Sequence, residues 1–159
     1  MVSIAFFTTF RYHENYSRDR LNHGKRCNVM LLVRDFRNTP AVTVEPSATL
    51  KECLDIMEER KFRHLLITEN GALRGIVVRK DIEAALRQPS RYPETPVDWI
   101  MSKDLVTVED SATLLEALKL MEQYKYSGLP VVEGDVVKGM FTETDVVKAL
   151  ISILEKEQA

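Results

Sequence analysis

The residues best suited to chemistry form the run Gly139–Asp145 (GMFTETD), which passes from a predicted strand into a predicted helix. A glycine allows another group to approach the backbone closely, and the Thr142 hydroxyl would stand beside helical N–H groups that favour an anion. Asp145, one turn further on, could accept two hydrogen bonds from a sugar diol. Together these residues suit a ribose phosphate. The same Thr-x-x-Asp spacing is also an acidic variant of the capping box, which needs no ligand.

A second run, Gly75–Asp81 (GIVVRKD), has the same layout with one change. It keeps the glycine and Asp81 but has Val78 where the other run has a threonine, so the hydroxyl is lost. Arg79 and Lys80 add positive charge at the predicted helix start. A phosphate at this place would be held by guanidinium, ammonium and backbone donors. The alternative is that both basic side chains are simply solvated.

The two runs belong to an internal repeat with a constant offset of 64 residues. Val42–Leu50 and Val106–Leu114 are identical at eight of nine positions. Over Val42–Leu86, 19 of 45 positions match their partners, where ordinary composition would give roughly three. The matches are therefore too many to arise by chance, and the chain contains two copies of one unit.

Each copy is predicted to contain a strand, a helix, two strands and a second helix. Short first strands are expected at Ala41–Val44 and Leu105–Val108. Hydroxyl residues cap helix starts, so the first helix of each copy is expected to begin at Ser47 or Thr49 and at Ser111 or Thr113. The turn pairs Asn70-Gly71 and Gly134-Asp135 separate the next two strands. The final helices are expected to start near Lys80 and Glu143 and to end near Leu86 and Ile153.

One such unit would leave an apolar sheet face exposed, and two copies packed sheet to sheet would cover it. We therefore predict an extension at 1–29, a first repeat at 30–88, a proline-rich linker at 89–96, a second repeat at 97–154 and a tail at 155–159. A short helical turn is expected before each repeat, at Val33–Phe36 and Val97–Met101. Phe36 and Trp99 in these turns are expected to anchor an edge of the core.

Composition excludes several classes of protein. The chain has 159 residues, 24 acidic against 22 basic side chains and a net charge of −2, which argues against a surface built as a whole for nucleic acid. Cys27 and Cys53 have no metal-ligand spacing and form no disulfide framework. No segment resembles a signal peptide or a membrane span. These features predict a cytoplasmic protein that needs no metal and has no membrane partner.

The first 29 residues lie outside the repeat and combine aromatic residues with a mixed basic run. Three interpretations stay open: a flexible tail, a segment that pairs with a partner subunit, or residues upstream of a later start at Met30.

The doubled pattern, with Gly-h-x-Thr-x-x-Asp before the last helix, resembles a pair of cystathionine-β-synthase (CBS) domains, the Bateman module. The resemblance covers roughly Val33–Leu154. It implies a mixed α+β fold with two CBS units related by a pseudo-twofold axis and two clefts between them. It also implies that the clefts bind adenosine compounds such as AMP, ADP, ATP or S-adenosylmethionine, and that the chain forms a homodimer, often a flat disk of four CBS units.

The resemblance also assigns site residues. In the second repeat, Asp145 would hold the ribose hydroxyls and Thr142 the phosphate, and adenine would lie against residues of the same repeat: Leu105, Val106, Gly128, Leu129 and Pro130. In the first repeat, Asp81 would hold the ribose, with Ala41, Val42, His64 and Leu65 along the base. Arg79 and Lys80 are candidates there from their charge alone. Val78 departs from the pattern, so the cleft with Thr142 and Asp145 ranks first.

Catalysis finds no support, since the three histidines are scattered and no nucleophile or phosphate-loop motif is present. We therefore predict a non-enzymatic regulatory module that senses an adenosine ligand and acts on an unidentified effector protein. Two alternatives stay open: a ligand-free interaction scaffold, and a nucleic-acid binder that uses the basic, aromatic N-terminal segment.

Overall fold

The structure is a computed structural model that describes residues 30–158, so the predictions for the N-terminal extension and for Cys27 lie outside the described residues. The predicted α+β fold is confirmed, with β-α-β-β-α in each repeat. The elements are β1 (Thr43–Val44), α1 (Leu50–Arg60), β2 (His64–Glu69), β3 (Ala72–Val78), α2 (Arg79–Ala85), β4 (Val108–Glu109), α3 (Leu114–Tyr124), β5 (Gly128–Glu133), β6 (Val136–Thr142) and α4 (Glu143–Gln158).

Each repeat builds its own three-stranded sheet. In the first repeat, β1 runs parallel to β2 and β2 runs antiparallel to β3, with His64 opposite Val78. The second repeat copies this arrangement with β4, β5 and β6, and Gly128 stands opposite Thr142. Because β2 and β5 begin where β3 and β6 end, the start of each middle strand lies beside the start of the last helix. This pairing positions the candidate site.

The first helix of each repeat begins with the same reciprocal cap. The Thr49 hydroxyl accepts a hydrogen bond from the Glu52 backbone N–H, and the Glu52 carboxylate accepts one from the Thr49 backbone N–H. Thr113 and Glu116 repeat this arrangement. Of the two hydroxyls predicted for each helix start, Thr49 and Thr113 are the caps, because a capping box needs Glu three residues later.

The two sheets pack against each other, as predicted. Leu66, Leu73 and Met140 are buried at the seam, and half-buried Ala41, Ile76, Leu105 and Val137 pack around them. Each repeat also has its own core under its helices. The seam holds the repeats face to face, and the candidate site opens at one end of this contact.

The short segment before each repeat packs on the other repeat, which the sequence boundaries did not predict. Val33 lies in a short 3-10 helix (Val33–Asp35), is buried in the core of the second repeat, and donates its N–H to the Ala112 carbonyl at 2.9 Å. Val97 lies in a short 3-10 helix (Val97–Trp99), is buried in the core of the first repeat, and donates to the Ala48 carbonyl at 2.8 Å. We call residues 31–38 and 96–102 the exchanged arms.

The exchanged arms explain the glycines of the two motif runs. Asn38 bonds across to Met140 on β6, and Ser102 bonds across to Ile76 on β3. A Cβ at Gly139 would overlap the Asn38 carbonyl oxygen. The close approach predicted for a ligand is therefore made here by the chain's own backbone.

Two local predictions are wrong. Trp99 is 63% exposed and lies under the Arg91 guanidinium, because its 3-10 turn directs Val97 into the core and Trp99 outward. The last helix does not end near Ile153: α4 continues to Gln158 through residues assigned to a tail, since the segment contains no glycine or proline that would stop it.

Cys53 is buried, and burial raises the pKa of its thiol to about 11, so the thiol stays protonated.

Candidate ligand-binding site

A cleft of about 350 Å³ opens between the two repeats, where β3 passes into α2 and β6 passes into α4. We call it the inter-repeat cleft, and its volume lies within the range of small-molecule sites. The first repeat and its preceding arm contribute Asn38, Pro40, Ala41, Val42, Lys61, Phe62, Arg63, His64, Val78, Arg79 and Lys80. The second repeat contributes Ser127, Met140, Thr142, Glu143 and Thr144.

The repeat explains why both strand-to-helix junctions line one cleft. Val78–Lys80 and Thr142–Thr144 occupy equivalent positions, 64 residues apart, and both line it. The sheets pack face to face, so the pseudo-twofold axis brings the starts of α2 and α4 together. The remaining walls are unequal. Ala41, Val42 and Lys61 line the cleft from the first repeat, and their equivalents in the second repeat do not.

One wall of the inter-repeat cleft is apolar. Ala41 and Val42 precede β1, Phe62 precedes β2, and Met140 reaches in from β6. Pro40 extends this surface. Apolar and aromatic side chains of this kind line the sites that hold flat ring systems, so this wall is suited to a nucleobase.

The rim of the cleft carries positive charge. Lys61, Arg63, Arg79 and Lys80 line the inter-repeat cleft, whereas Glu143 is the carboxylate residue among its lining residues. The Arg79 guanidinium also pairs with Glu83 on its own helix at 3.0 Å. Its other near carboxylate, Glu58, lies at 3.9 Å. The cleft therefore combines an apolar wall with a cationic rim.

His64 joins the two repeats across the inter-repeat cleft. Its Nε2 lies 3.0 Å from the Ser127 Oγ. Burial lowers the pKa of His64, and the Arg63 charge lowers it further. A neutral imidazole can either donate to or accept from a hydroxyl. His64 is thus a polar contact between the repeats at the edge of the cleft.

Asp145 is fully buried, with 0% of its surface exposed. Its Oδ2 accepts hydrogen bonds from the Thr142 backbone N–H at 2.9 Å, the Thr142 hydroxyl at 2.7 Å and the Asn38 side-chain amide at 2.8 Å. Its Oδ1 accepts from Lys148 at 3.0 Å. The capping interpretation of Thr-x-x-Asp is therefore present in the structure. A sugar diol could reach this carboxylate only after the Asn38 amide moved away.

The comparison with known families identifies the fold. The family model for the CBS domain matches residues 33–88 and 97–152, which cover both repeats. The chain belongs to the CBS domain family. This result confirms the resemblance that the doubled sequence pattern indicated.

CBS-containing relatives include both multidomain enzymes and small proteins. The chain is 32% identical over 149 residues to the A-adding tRNA nucleotidyltransferase of Aquifex aeolicus (strain VF5), covering 90% of the chain but only 18% of that protein. It is 29% identical over 117 residues to the CBS domain-containing protein YhcV of Bacillus subtilis (strain 168), covering 74% of the chain and 84% of YhcV.

Solved CBS pairs share the fold. The acetoin utilization protein AcuB from Vibrio cholerae superimposes with a TM-score of 0.75 at 34% identity, covering 82% of this chain and 98% of AcuB. The CBS domain pair of MJ0100, solved with 5′-methylthioadenosine and S-adenosyl-L-methionine, gives 0.71 at 26% identity, covering 77% and 98%. CBSX2, solved in complex with AMP, gives 0.69 at 27% identity, covering 77% and 98%.

The structure brings some of the predicted site residues together at the inter-repeat cleft and places others elsewhere. Six of them line it: Ala41, Val42, His64, Arg79, Lys80 and Thr142. Leu65 and Leu129 are buried in the cores of the two CBS repeats, and Gly128, Pro130 and Asp145 are buried as well. Leu105 and Val106 are half-buried and Asp81 is exposed. The ligand-binding roles assigned to all of these residues remain predictions.

The inter-repeat cleft contains residues that were predicted for two separate sites. Thr142, assigned to the second repeat's site, shares the cleft with Ala41 and Val42, which were assigned to the other site. Sequence reasoning also missed Asn38, Lys61, Phe62 and Arg63. The constant offset could have indicated Lys61, which matches Lys125. Asn38 could not have been found in this way, because its position depends on the exchange of the arms.

The described part of the chain has neither a metal-binding cluster nor a membrane-spanning helix. Within residues 30–158, no group of three or more histidine, cysteine, aspartate or glutamate side chains could hold a metal ion. No helix within the same residues is both long and apolar enough to span a membrane.

Proposed function

We propose that the chain is a regulatory CBS pair that binds an adenosine compound, such as AMP, ADP, ATP or S-adenosylmethionine, in the inter-repeat cleft. The observation that carries this proposal is the composition of the cleft: an apolar wall and a polar, charged rim supplied by both repeats. No catalytic role is assigned to it. Relatives with the same fold were solved with AMP, 5′-methylthioadenosine and S-adenosyl-L-methionine.

The geometry suggests how the ligand would lie. Adenine would rest on the wall formed by Ala41, Val42 and Phe62, and the polar part of the ligand would face Thr142 and the basic rim. Thr142 precedes α4, a helix of 16 residues whose first N–H groups favour negative charge. A ligand bound in this way would contact both repeats.

Regulation requires that the ligand bind two states of the protein with different affinity. Asn38 offers a link between the ligand and the fold, because it lines the cleft, bonds to Asp145 and belongs to an exchanged arm. A ligand that displaced the Asn38 amide would change the packing of that arm on the second repeat. An effector protein that contacts the arm could respond to this change.

The test is thermal melting of the full chain with AMP, ADP, ATP, S-adenosylmethionine and NAD. A ligand at a hundred times its Kd adds about 2.7 kcal/mol to the free energy of unfolding, which raises the Tm by about 5–10 °C. The Ala41→Phe variant fills the cleft and should lose the shift. Ala72→Phe, at an exposed position outside the cleft, should keep it. The absence of a shift with every compound would contradict the proposal and favour a ligand-free scaffold.

We also propose that a second copy of the chain covers the exposed face of α4. Val147, Leu150, Ile151 and Leu154 stand three, one and three residues apart on this helix, and each is between 47% and 56% exposed. Such a face on a helix is unusual without a partner. A twofold axis would pair this apolar surface with itself, which is how homodimers form.

Sedimentation velocity tests this homodimer. The wild-type chain should sediment as a dimer, and Leu150→Glu should sediment as a monomer because it places a charge in the apolar face. Val136→Glu, at an equally exposed site on β6, is the matched control and should stay dimeric. A monomeric wild-type chain would contradict this part of the proposal.

A further inference from the structure

We infer that the inter-repeat cleft discriminates between adenosine ligands by charge: it takes phosphorylated nucleotides and rejects sulfonium and uncharged adenosyl compounds. This inference rests on the proposed function and deepens it by naming the ligand class. Relatives with this fold take both classes of ligand: one was solved with AMP and another with 5′-methylthioadenosine and S-adenosyl-L-methionine.

The first argument is the balance of charge on the rim. Lys61 and Arg63 approach from the segment before β2, and Arg79 and Lys80 approach from the start of α2. Glu143 opposes these four cations from the other repeat, and Arg79 is also paired with Glu83 on its own helix, so the excess of positive charge rests mainly on Lys61, Arg63 and Lys80. Because burial lowers the pKa of His64, that ring does not add charge at neutral pH. The rim is therefore positive, and a cation placed there would be repelled.

The second argument is that these charges are specific to one repeat. The positions equivalent to Arg63, Arg79 and Lys80 are Ser127, Glu143 and Thr144, so two cations become hydroxyls and one becomes a carboxylate. Of the four basic positions, only Lys61 has a basic equivalent, Lys125. The same backbone framework thus carries a cationic rim in the first repeat and a nearly neutral one in the second.

The third argument is ligand chemistry. A nucleotide phosphate carries close to two negative charges near pH 7 and offers several acceptor oxygens to guanidinium and ammonium groups. S-adenosylmethionine carries a sulfonium and an ammonium group against one carboxylate, and 5′-methylthioadenosine has no charge. All of these compounds share adenosine, so the apolar wall contributes equally to each. Affinity should therefore increase with the number of phosphates.

Isothermal titration of the full chain in metal-free buffer tests this order. We expect ATP and ADP to bind more tightly than AMP, and AMP to bind at least about tenfold more tightly than S-adenosylmethionine or 5′-methylthioadenosine. Raising the salt from about 0.05 M to about 0.3 M should weaken ATP binding more than binding of the uncharged compound, because the rim is partly exposed to solvent.

The matched variants replace charged residues of the first repeat with the uncharged residues found at the equivalent positions of the second repeat. Arg63→Ser with Lys80→Thr installs the side chains found at Ser127 and Thr144, and should weaken ATP binding about thirtyfold while changing 5′-methylthioadenosine binding less than about threefold. Arg74→Ser with Lys51→Thr removes the same two charges from exposed ion pairs outside the cleft, and should leave ATP binding unchanged.

Each outcome decides a different claim. Equal affinity for ATP and S-adenosylmethionine, or equal loss of ATP affinity in the two double variants, would overturn the charge inference and leave the proposed function intact. Failure of every adenosine compound to bind the wild-type chain would overturn the proposed function itself. Tighter binding of ATP, ADP and AMP than of S-adenosylmethionine and 5′-methylthioadenosine, with salt sensitivity and with loss of ATP affinity only in the rim variant, supports both.

Discussion

The starts of α2 and α4 occupy equivalent positions in the two repeats but are built differently. At α4, Asp145 is buried and accepts hydrogen bonds from Thr142, Asn38 and Lys148. At α2, Asp81 is exposed and the N-cap residue Val78 makes no side-chain cap bond. The motif at α4 is therefore a closed network of hydrogen bonds, whereas the start of α2 places Arg79 and Lys80 at the cleft. A shared sequence motif therefore does not imply a shared task.

The largest difference between the repeats is expected in the free energy of unfolding when Gly139 and Gly75 are each replaced by alanine. In Gly139→Ala the new Cβ would overlap the Asn38 carbonyl, which is backbone held to Met140, so we expect a loss of about 3 kcal/mol in the free energy of unfolding. In Gly75→Ala the nearest atom is the Met101 sulfur at 2.5 Å, on a flexible side chain.

The Gly75→Ala variant should therefore lose only about 1 kcal/mol, since methionine adapts to crowding. Urea denaturation of both variants measures the two losses. Equal losses would contradict this expectation, because they would mean that the Asn38 backbone and the Met101 side chain resist the added methyl group equally.

The second difference concerns the two aspartates. Asp145→Ala removes the acceptor of several hydrogen bonds in a buried place and should lower the free energy of unfolding by about 2–3 kcal/mol. Asp81→Ala, at an exposed position, should change it by less than about 0.5 kcal/mol. Urea denaturation checks both values, and similar losses would contradict the burial of Asp145.

The same two variants also show how much each aspartate contributes to nucleotide affinity. From the family resemblance we expect Asp145→Ala to weaken nucleotide affinity far more than Asp81→Ala, as measured by calorimetric titration. A larger loss in Asp81→Ala would reverse the ranking of the two clefts and place the ribose at the first repeat's helix.

Features that depend on residues close together in the chain could be predicted from the sequence. Features that depend on contacts between residues far apart in the chain could not. The offset of 64 residues revealed the repeat and the order of its elements. The hydroxyl residues limited each helix start to two candidates, of which Thr49 and Thr113 are the caps, because these features depend on neighbouring residues. The exchange of the arms could not be predicted, because Val33 and Val97 match in the repeat whichever sheet they cover. For the same reason the sequence could indicate the capping contact between Thr142 and Asp145, three residues apart, but not the contact of Asp145 with Asn38, which spans 107 residues.

A smaller effect should come from exchanging the residue three positions before each aspartate. Thr142→Val removes the hydroxyl bond to Asp145 and should cost about 1 kcal/mol, whereas Val78→Thr gives Asp81 a capping partner and should gain about 0.5 kcal/mol. The two Tm values should move in opposite directions. Movement in the same direction would show that the hydroxyl does not cause the difference between the helix starts.

The smallest effect should be a pH dependence from His64. Burial lowers the pKa of His64 below its ordinary value of 6.5. Below this pH the unfolded chain takes up a proton more readily than the folded site does, so the free energy of unfolding falls as the pH falls, and above it His64 adds no pH dependence. His64→Gln should reduce this fall. An unchanged pH profile of the Tm in that variant would mean that the ring is freely solvated.

The central claim is that one adenosine nucleotide contacts both repeats at once, and NMR titration of the amide signals with ATP tests it most directly. The amides of Val42 in the first repeat and Thr142 in the second should shift together and yield one Kd, while the exposed end of β6 at Val136 stays unchanged. Shifts confined to one repeat, or no shift at either position, would contradict the account.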